Sequence, residues 1–395
     1  MKKKMLLVAI GLISLTVIIG GDARVSQARR QEEEVYRNIE LFIDAMQIID
    51  EQYIEPVENK QLIYGALKGM LSLDPYSAFL EPEMKEELQI ETKGEFHGVG
   101  MEITLKDGII TVVSPIEETP AWNAGIKAGD KILEIDDEST KGLSTFEAAQ
   151  KLRGKKGTEV TISILRTGLK ELKKITLVRD VIKVKSIREK IIDSRIAYVR
   201  VRDFQERTAA DLRRVLQELN GNNIEGLVLD LRNNPGGLLT SAIDVSELFL
   251  PKGKLIVYTQ GRQEQDRNTF NSRSYPVWNK PVVLLFNQGS ASASEIVIGA
   301  LKDNIKETIT VGMKTFGKGS VQNLIPLKDG SALKLTIAHY YTPSGVCIEG
   351  KGIKPDIEIE LPEIDSEEQI IIPGESGDVQ FEKAVEMLRQ SLEKS

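Results

Sequence analysis

A chain of 395 residues exceeds what one hydrophobic core organises, so two or three domains are expected. With 41 % apolar and 28 % charged residues and a net charge of −7, the composition is that of a globular protein and argues against a nucleic-acid-binding surface. One cysteine, Cys347, excludes an intrachain disulfide and a cysteine-cluster metal site, and two histidines, His97 and His339, rule out zinc chemistry of the HExxH kind.

The chain opens on MKKKMLLVAIGLISLTVIIGG, a lysine cluster (Lys2 to Lys4) followed by an uncharged run from Met5 to Gly21. At 1.5 Å per residue those 17 positions reach roughly 25 Å, a little short of a bilayer core, which predicts a signal peptide or a single membrane anchor over residues 1–24 and an exported chain. Small residues stand at cleavage-like spacing in Gly21-Asp22-Ala23 and Ser26-Gln27-Ala28, but neither makes a convincing site and no lipobox cysteine is present. An uncleaved anchor with its lysines on the cytoplasmic side is the expectation, and no later segment is long and apolar enough to span.

Residues 25–92 carry helical periodicity: Val35, Ile39, Phe42, Ile43, Met46 and Ile49 recur at spacings of three and four, then Leu62, Ala66, Met70 and Leu71, with Pro75 in LDPYS as the stop. Residues 93–182 change to short alternating strands broken by glycine (GVGMEITL, GIITVVSPI, DKILEID, TEVTISILR) with one helical patch, STFEAAQKLRG. In residues 183–362 buried-type strands at Ile196 to Val201, Gly226 to Leu231 and Pro281 to Asn287 alternate with helices at Ala209 to Leu219 and after Ser292, and a hairpin follows in SVQNLIPL-KDGS-ALKLTIAHYYT. That order indicates a multidomain α/β protein. Residues 363–395 begin as an acidic loop and end in the helix FEKAVEMLRQSL. The apolar sides of the terminal helices, Val35 to Ile49 and Phe381 to Leu392, suggest a homodimer.

The stretch Gly289 to Ile296, GSASASEI, places three hydroxyls at every second position before an apolar run. Ser292 and Glu295 have capping-box spacing, which alone explains the sequence as a helix start. The same place suits a nucleophile, because the first amides of a helix are unpaired and can hold an oxyanion. A serine nucleophile needs a base. A lysine can supply one if its pKa is lowered from about 10.4 towards 7 or 8, which requires desolvation and distance from carboxylates. Lys318 in TFGKGS has no acid within nine residues on its N-terminal side, and Ser320 and Gln322 share its face of the following strand, so the Gln322 amide could orient the amine.

In combination, DLRNNPGG (Asp230 to Gly237), NQGSASASEI (Asn287 to Ile296), GMKTFGKGSVQ (Gly312 to Gln322) and YYTPSG (Tyr340 to Gly345) resemble the carboxyl-terminal processing proteases, tail-specific serine peptidases with a Ser/Lys dyad and a PDZ domain. The resemblance runs from about residue 40 to 360. It implies a crotonase-like or ClpP-like α/β peptidase core with an inserted PDZ domain and a helical N-terminal segment. It makes Ser292 the nucleophile, Lys318 the general base and Gln322 the orienting residue, with Ser290 and Ser294 as supporting neighbours. The amide of Ala293 and one from the Gly236-Gly237 turn become oxyanion donors. Two departures stand out: one extra residue in NIKETITVG, and His339 where the family more often has arginine.

The strand-rich module resembles a PDZ domain, in which Gly98, Val99, Gly100 and Met101 would form the carboxylate-binding loop and Met101, Ile103 and Leu152 the apolar side-chain pocket. The resemblance implies protein substrates bound by an unstructured, apolar C-terminus, with no metal, nucleotide or other cofactor. The alternatives are a catalytically silent exported PDZ adaptor, in which the serines only cap a helix, and a serine hydrolase that uses His339 as base.

Overall fold

The computed structural model describes residues 33–166, 171–360 and 372–394. The expected anchor, residues 1–24, and the acidic loop 361–371 lie outside the described residues, and no helix among those described is long and apolar enough to cross a membrane. The chain divides into two compact units, Met1–Glu81 and Pro82–Ser395.

In the first unit residues 33–52 form helix α1, followed by α2 (Asn59–Met70) and the short strand β1 (Ala78–Leu80). Helix α2 ends at Met70, ahead of Pro75, because the next residues turn on Asp74, whose Oδ1 accepts the amides of Tyr76 at 2.8 Å and Ser77 at 2.9 Å. Helix α1 leaves its apolar residues exposed, among them Tyr36, Leu41 and Ile48.

The second unit begins with α3 (Pro82–Lys93) and β2 (Glu95–Gly98). A six-stranded antiparallel sheet follows, in the order β3 (Met101–Lys106), β4 (Ile109–Pro115), β5 (Lys131–Ile135), β7 (Glu159–Leu165), β8 (Lys173–Val178), with β6 (Glu138–Ser139) on β5. Alternate residues of these strands, Ile110, Val112, Ile132, Ile162 and Ile164, point inward to a core of their own. Of its two helices, α4 (Pro120–Asn123) is a single turn, while α5 (Thr145–Leu152) starts at a formed capping box in which the Ser144 amide donates to Glu147 Oε2 at 2.7 Å. The strand leaving the module, β9 (Asp180–Lys183), pairs antiparallel with the strand entering it, β2, with Glu95 opposite Lys183. That pairing closes the neck of the insertion.

The remaining residues build the α/β core. Its six-stranded sheet runs β10 (Ile187–Ile191), β11 (Ile196–Val201), β12 (Gly226–Asp230), β15 (Val282–Phe286), β16 (Ile309–Gly312), β19 (Ile357–Glu358), parallel throughout except for β10. A parallel sheet covered on both faces needs near-continuous apolar strands, which VVLLF and the Leu227–Leu229 run of GLVLD supply, with buried Asp230 ending the latter. Leu227, Leu229, Leu284 and Phe286 face helices α6 (Thr208–Gly221), α7 (Leu239–Glu247) and α8 (Ala293–Asn304), while Val228, Val283 and Leu285 face the C-terminal helix α9 (Val379–Lys394). A second, antiparallel sheet has the order β17 (Ser320–Pro326), β18 (Ala332–Tyr341), β13 (Leu255–Gly261), β14 (Arg267–Asn271).

The apolar side of α9 corrects one expectation. Phe381, Ala384, Val385 and Leu388 are buried against the sheet of their own chain and are not available to a second copy. The helix is also tied by charge: Arg232 Nη2, just past β12, lies 2.7 Å from Asp230 Oδ2 and 2.7 Å from Asp378 Oδ2, and both carboxylates are fully buried. Tyr198 donates to Asp230 Oδ2 at 2.7 Å and completes the cluster. Removing one member leaves a buried charge short of its partner, so Asp378→Ala is expected to cost about 3 to 5 kcal/mol in denaturant unfolding. An unfolding midpoint equal to that of the unmodified chain would contradict the role given to this ion pair.

Candidate active site

Strands β12 and β15 are parallel neighbours, so the loops at their C-terminal ends, Leu231 to Leu238 and Asn287 to Ser292, emerge side by side. Two asparagines join them: Asn287 Oδ1 accepts the Asn233 amide at 2.9 Å, and Asn287 Nδ2 donates to Asn233 Oδ1 at 2.9 Å. Asn234 adds a second clasp, its carbonyl accepting the Ala291 amide at 3.0 Å and the Ser294 hydroxyl at 2.9 Å. Gly236, at φ 109°, lies so close that a Cβ there would sit 2.8 Å from that of Ser292, and only glycine lets the turn approach the serine.

The three serines separate by environment. Ser290 donates to the Leu231 carbonyl at 2.7 Å and accepts the Asn287 amide, and Ser294 donates to the Asn234 carbonyl; both are fully buried. Ser292, between them, is only partly buried and lines the cavity described below. It stands at the N-cap of α8 with φ 54° and ψ −114°, a conformation that L-residues adopt only when the surroundings hold it. The next residue, Ala293, carries the first amide of the helix, which has no intrahelical acceptor.

Lys318 enters from the residues preceding β17 and is half-buried. Burial is the largest influence on its amine and pushes the pKa down, the nearby Lys334 pushes it further, Glu349 and Glu295 pull the other way, and the net direction is down. Here the fold departs from the expectation of a lysine held away from acids. The acids arrive from elsewhere in the chain. Fully buried Glu295 accepts the amides of Ser292 at 2.9 Å and Lys318 at 2.9 Å through Oε2, and the Gly317 amide at 2.8 Å and Thr315 hydroxyl at 2.6 Å through Oε1. Burial pushes the Glu295 carboxyl above its ordinary range, against the pull of these donors. Glu349 Oε2 accepts the Gly319 amide at 2.7 Å. The single Tyr340 hydroxyl lies between the Ser292 carbonyl, at 3.0 Å, and the Lys318 carbonyl and shares its proton between them, a second bridge between the two segments. Gln322 Nε2 lies 2.9 Å from Ser320 Oγ and 3.3 Å from Thr336 Oγ1.

A cavity of about 970 Å³ collects these groups. Ser292, Ala293, Lys318, Gln322, Gly236 and Gly237 line it, with Phe204, Leu238, Leu239, Ile296 and Val321 as its apolar wall, and Arg153, at the end of α5, reaches it from the strand-rich module. Sequence reasoning missed Tyr340 and Asn234 as bridging residues and saw Glu295 only as a helix cap. The capping spacing was the one signal for Glu295, and its contacts with residues 315–318 leave no local trace.

In the strand-rich module Gly98, Val99, Gly100 and Met101 link β2 to β3, with Gly100 at φ 78°. A Cβ on Gly100 would lie 2.4 Å from Thr119 Cβ, and the Gly100 carbonyl accepts the Thr119 hydroxyl at 2.9 Å, so the bend is fixed. Val99 and Leu152 are buried in the module's core, and Met101 and Ile103 pack half-buried against it, beside α5. Neither histidine joins the serines: His97 is on β2, and His339 is 47 % exposed with Nδ1 3.9 Å from Glu349. Among the described residues no group of three or more His, Cys, Asp or Glu side chains is disposed to hold a metal ion.

The backbone of Ser292 makes a specific thermodynamic statement. A glycine there loses the Cβ penalty of the unusual φ and ψ, so Ser292→Gly is expected to unfold about 1 kcal/mol later than Ser292→Ala. Equal stability of the two variants in denaturant titrations would mean that this helix start is unstrained.

Comparison with known proteins gives the family. Residues 195–359 match peptidase family S41, residues 98–177 match a PDZ domain, and residues 18–84 match the N-terminal domain of the activating protease CtpB. The chain is 44 % identical to the carboxy-terminal-processing protease of Bartonella bacilliformis over 84 % of its own length and 77 % of that protein. It is 38 % identical to the carboxyl-terminal-processing protease of Synechocystis, over 86 % of its length and 80 % of the relative's, and 36 % identical to the carboxy-terminal processing protease CtpB of Bacillus subtilis, over 86 % and 70 %. The chain therefore belongs to the carboxyl-terminal processing proteases, serine-type peptidases of family S41 that carry a PDZ domain.

Proposed function

We propose that the protein is an endopeptidase that takes the unstructured, apolar C-terminus of a protein substrate into its PDZ groove and cleaves through an acyl-enzyme on Ser292. A peptide would add a strand beside β3, its carboxylate held by the amides of Gly98 to Met101 and its last side chain set among Met101, Ile103 and Leu152. Neutral Lys318 takes the proton of the Ser292 hydroxyl as Oγ attacks the scissile carbonyl, and the resulting ammonium protonates the leaving amine. Lys318 then activates the water that releases the acid product. Gln322 orients the amine. The Ala293 amide and one from the glycine turn hold the oxyanion. Within that turn the Gly236 amide donates to Asn234 Oδ1 at 2.9 Å, which favours the Gly237 amide as the second donor.

One observation carries this reading. Of the three hydroxyls, two are tied into the loops, and the third stands at a helix N-terminus in the same cavity as a half-buried lysine whose pKa is lowered. We further place the catalytic domains on the extracytoplasmic side of a membrane, held by residues 1–24, and assign the exposed apolar residues of α1 to a homodimer contact.

Three variants assayed on a peptide with an apolar C-terminus separate the mechanisms. Ser292→Ala and Lys318→Ala are each expected to lower kcat by about 10⁴ or more, while His339→Ala retains the activity of the unmodified enzyme. Loss at His339 with survival of Lys318→Ala would assign the base to the histidine. The absence of any activity to lose would return the chain to the role of a PDZ adaptor.

A further inference from the structure

Lys334 lies on β18, the strand that pairs with the one following the lysine loop. Register sets its direction. Gln322 is opposite Thr336 and Leu324 opposite Lys334, and Gln322 Nε2 reaches Thr336 Oγ1 at 3.3 Å, so Thr336 and Lys334 share the face that carries Gln322. Lys318, Gln322, Leu324 and Lys334 all line the 970 Å³ cavity that contains Ser292. Two lysine side chains therefore stand on one cavity wall. No acid forms an ion pair with Lys334 among the described residues.

We propose that Lys334 is a positioning residue for the reaction, a second cation whose charge favours the neutral form of the Lys318 amine and so keeps it available as base. The inference rests on the reading of Lys318 as base. The charged groups that face Lys318 are Lys334 on one side of the balance and Glu349 and Glu295 on the other; Tyr340, also at the site, is held neutral by burial. Each carboxylate favours the ammonium form. Burial and the neighbouring cation act against them, and without Lys334 only burial remains to oppose two acids. A like charge on the wall of the same partly solvated cavity disfavours the ammonium form of Lys318.

The direction of the effect follows from the role. A base must be unprotonated, so kcat/KM falls on the acid side of the Lys318 pKa, and raising that pKa moves the acid limb to higher pH. Lys334→Ala is expected to move the limb up by about half a unit, roughly a threefold loss of rate at a pH below it, with the alkaline plateau less affected. Lys334→Glu moves it further, and Lys334→Arg, which keeps the charge, holds the limb in place.

Three results would overturn the inference: a limb that stays in place in both the Ala and Glu variants, a rise in KM alone, which would make Lys334 a substrate-binding cation, or an equal loss at every pH, which would make it structural. Lys318→Ala separates this outcome from failure of the underlying mechanism. If that variant keeps its activity, the base assignment falls and this inference falls with it. If it is inactive while the limb of the Lys334 variants does not move, only the role of Lys334 is lost.

Discussion

The site depends on one buried carboxylate. Glu295 is one turn into α8, yet its two oxygens accept four donors, three of them from residues 315–318. Burying a carboxylate is costly unless its oxygens are satisfied by good donors, and here both are. The consequence is geometric. The amides of Ser292 and Lys318 are held by the same oxygen, so the two segments cannot move independently without leaving a buried carboxylate short of donors. The same bond helps to hold Ser292 in a conformation it would not adopt alone. Tyr340 repeats the link on the carbonyl side.

Around this clasp the parallel sheet supplies position. Loops at the ends of β12 and β15 meet because those strands are hydrogen-bonded neighbours, and the asparagine pair makes the meeting rigid. Arg232, at the start of the glycine-containing loop, is fixed by Asp230 behind it and by Asp378 from the C-terminal helix. The last helix thus acts on the site through a charge network as well as through the apolar face it lays on the sheet. The PDZ module is joined at a neck formed by β2 and β9, and Arg153, at the end of its helix, lines the cavity that contains Ser292.

The elements were legible where the physics is local. Alternation of apolar residues marks the strands of the module, continuous apolar runs mark the buried parallel strands, and Ser144 with Glu147 marks the start of α5. The place of Ser292 at the start of a helix was legible in its capping-box spacing with Glu295. What the sequence hid is nonlocal. Asp378 is 146 positions from Arg232, and no pattern near either signals the other. The apolar stripe of α9 has the same appearance whether its partner is a second chain or its own sheet, and only the fold assigns it to the latter. Glu295 at three residues past Ser292 fits a cap, and the cap is real, but the spacing cannot disclose a second set of donors twenty and more residues away.

Lys318 shows why local distance from acids was the wrong criterion for a neutral lysine. Two carboxylates face it, and its pKa still falls. Both acids are already engaged by backbone amides, Glu295 by those of Ser292, Gly317 and Lys318 and Glu349 by that of Gly319. An amide dipole pointed at a carboxylate offsets part of its field, so the charge that reaches a nearby ammonium is reduced. The carboxylates can then fix the backbone of the lysine segment while burial and Lys334 together outweigh their pull on its amine. A site of this type requires acids that are well bonded, rather than acids that are far away.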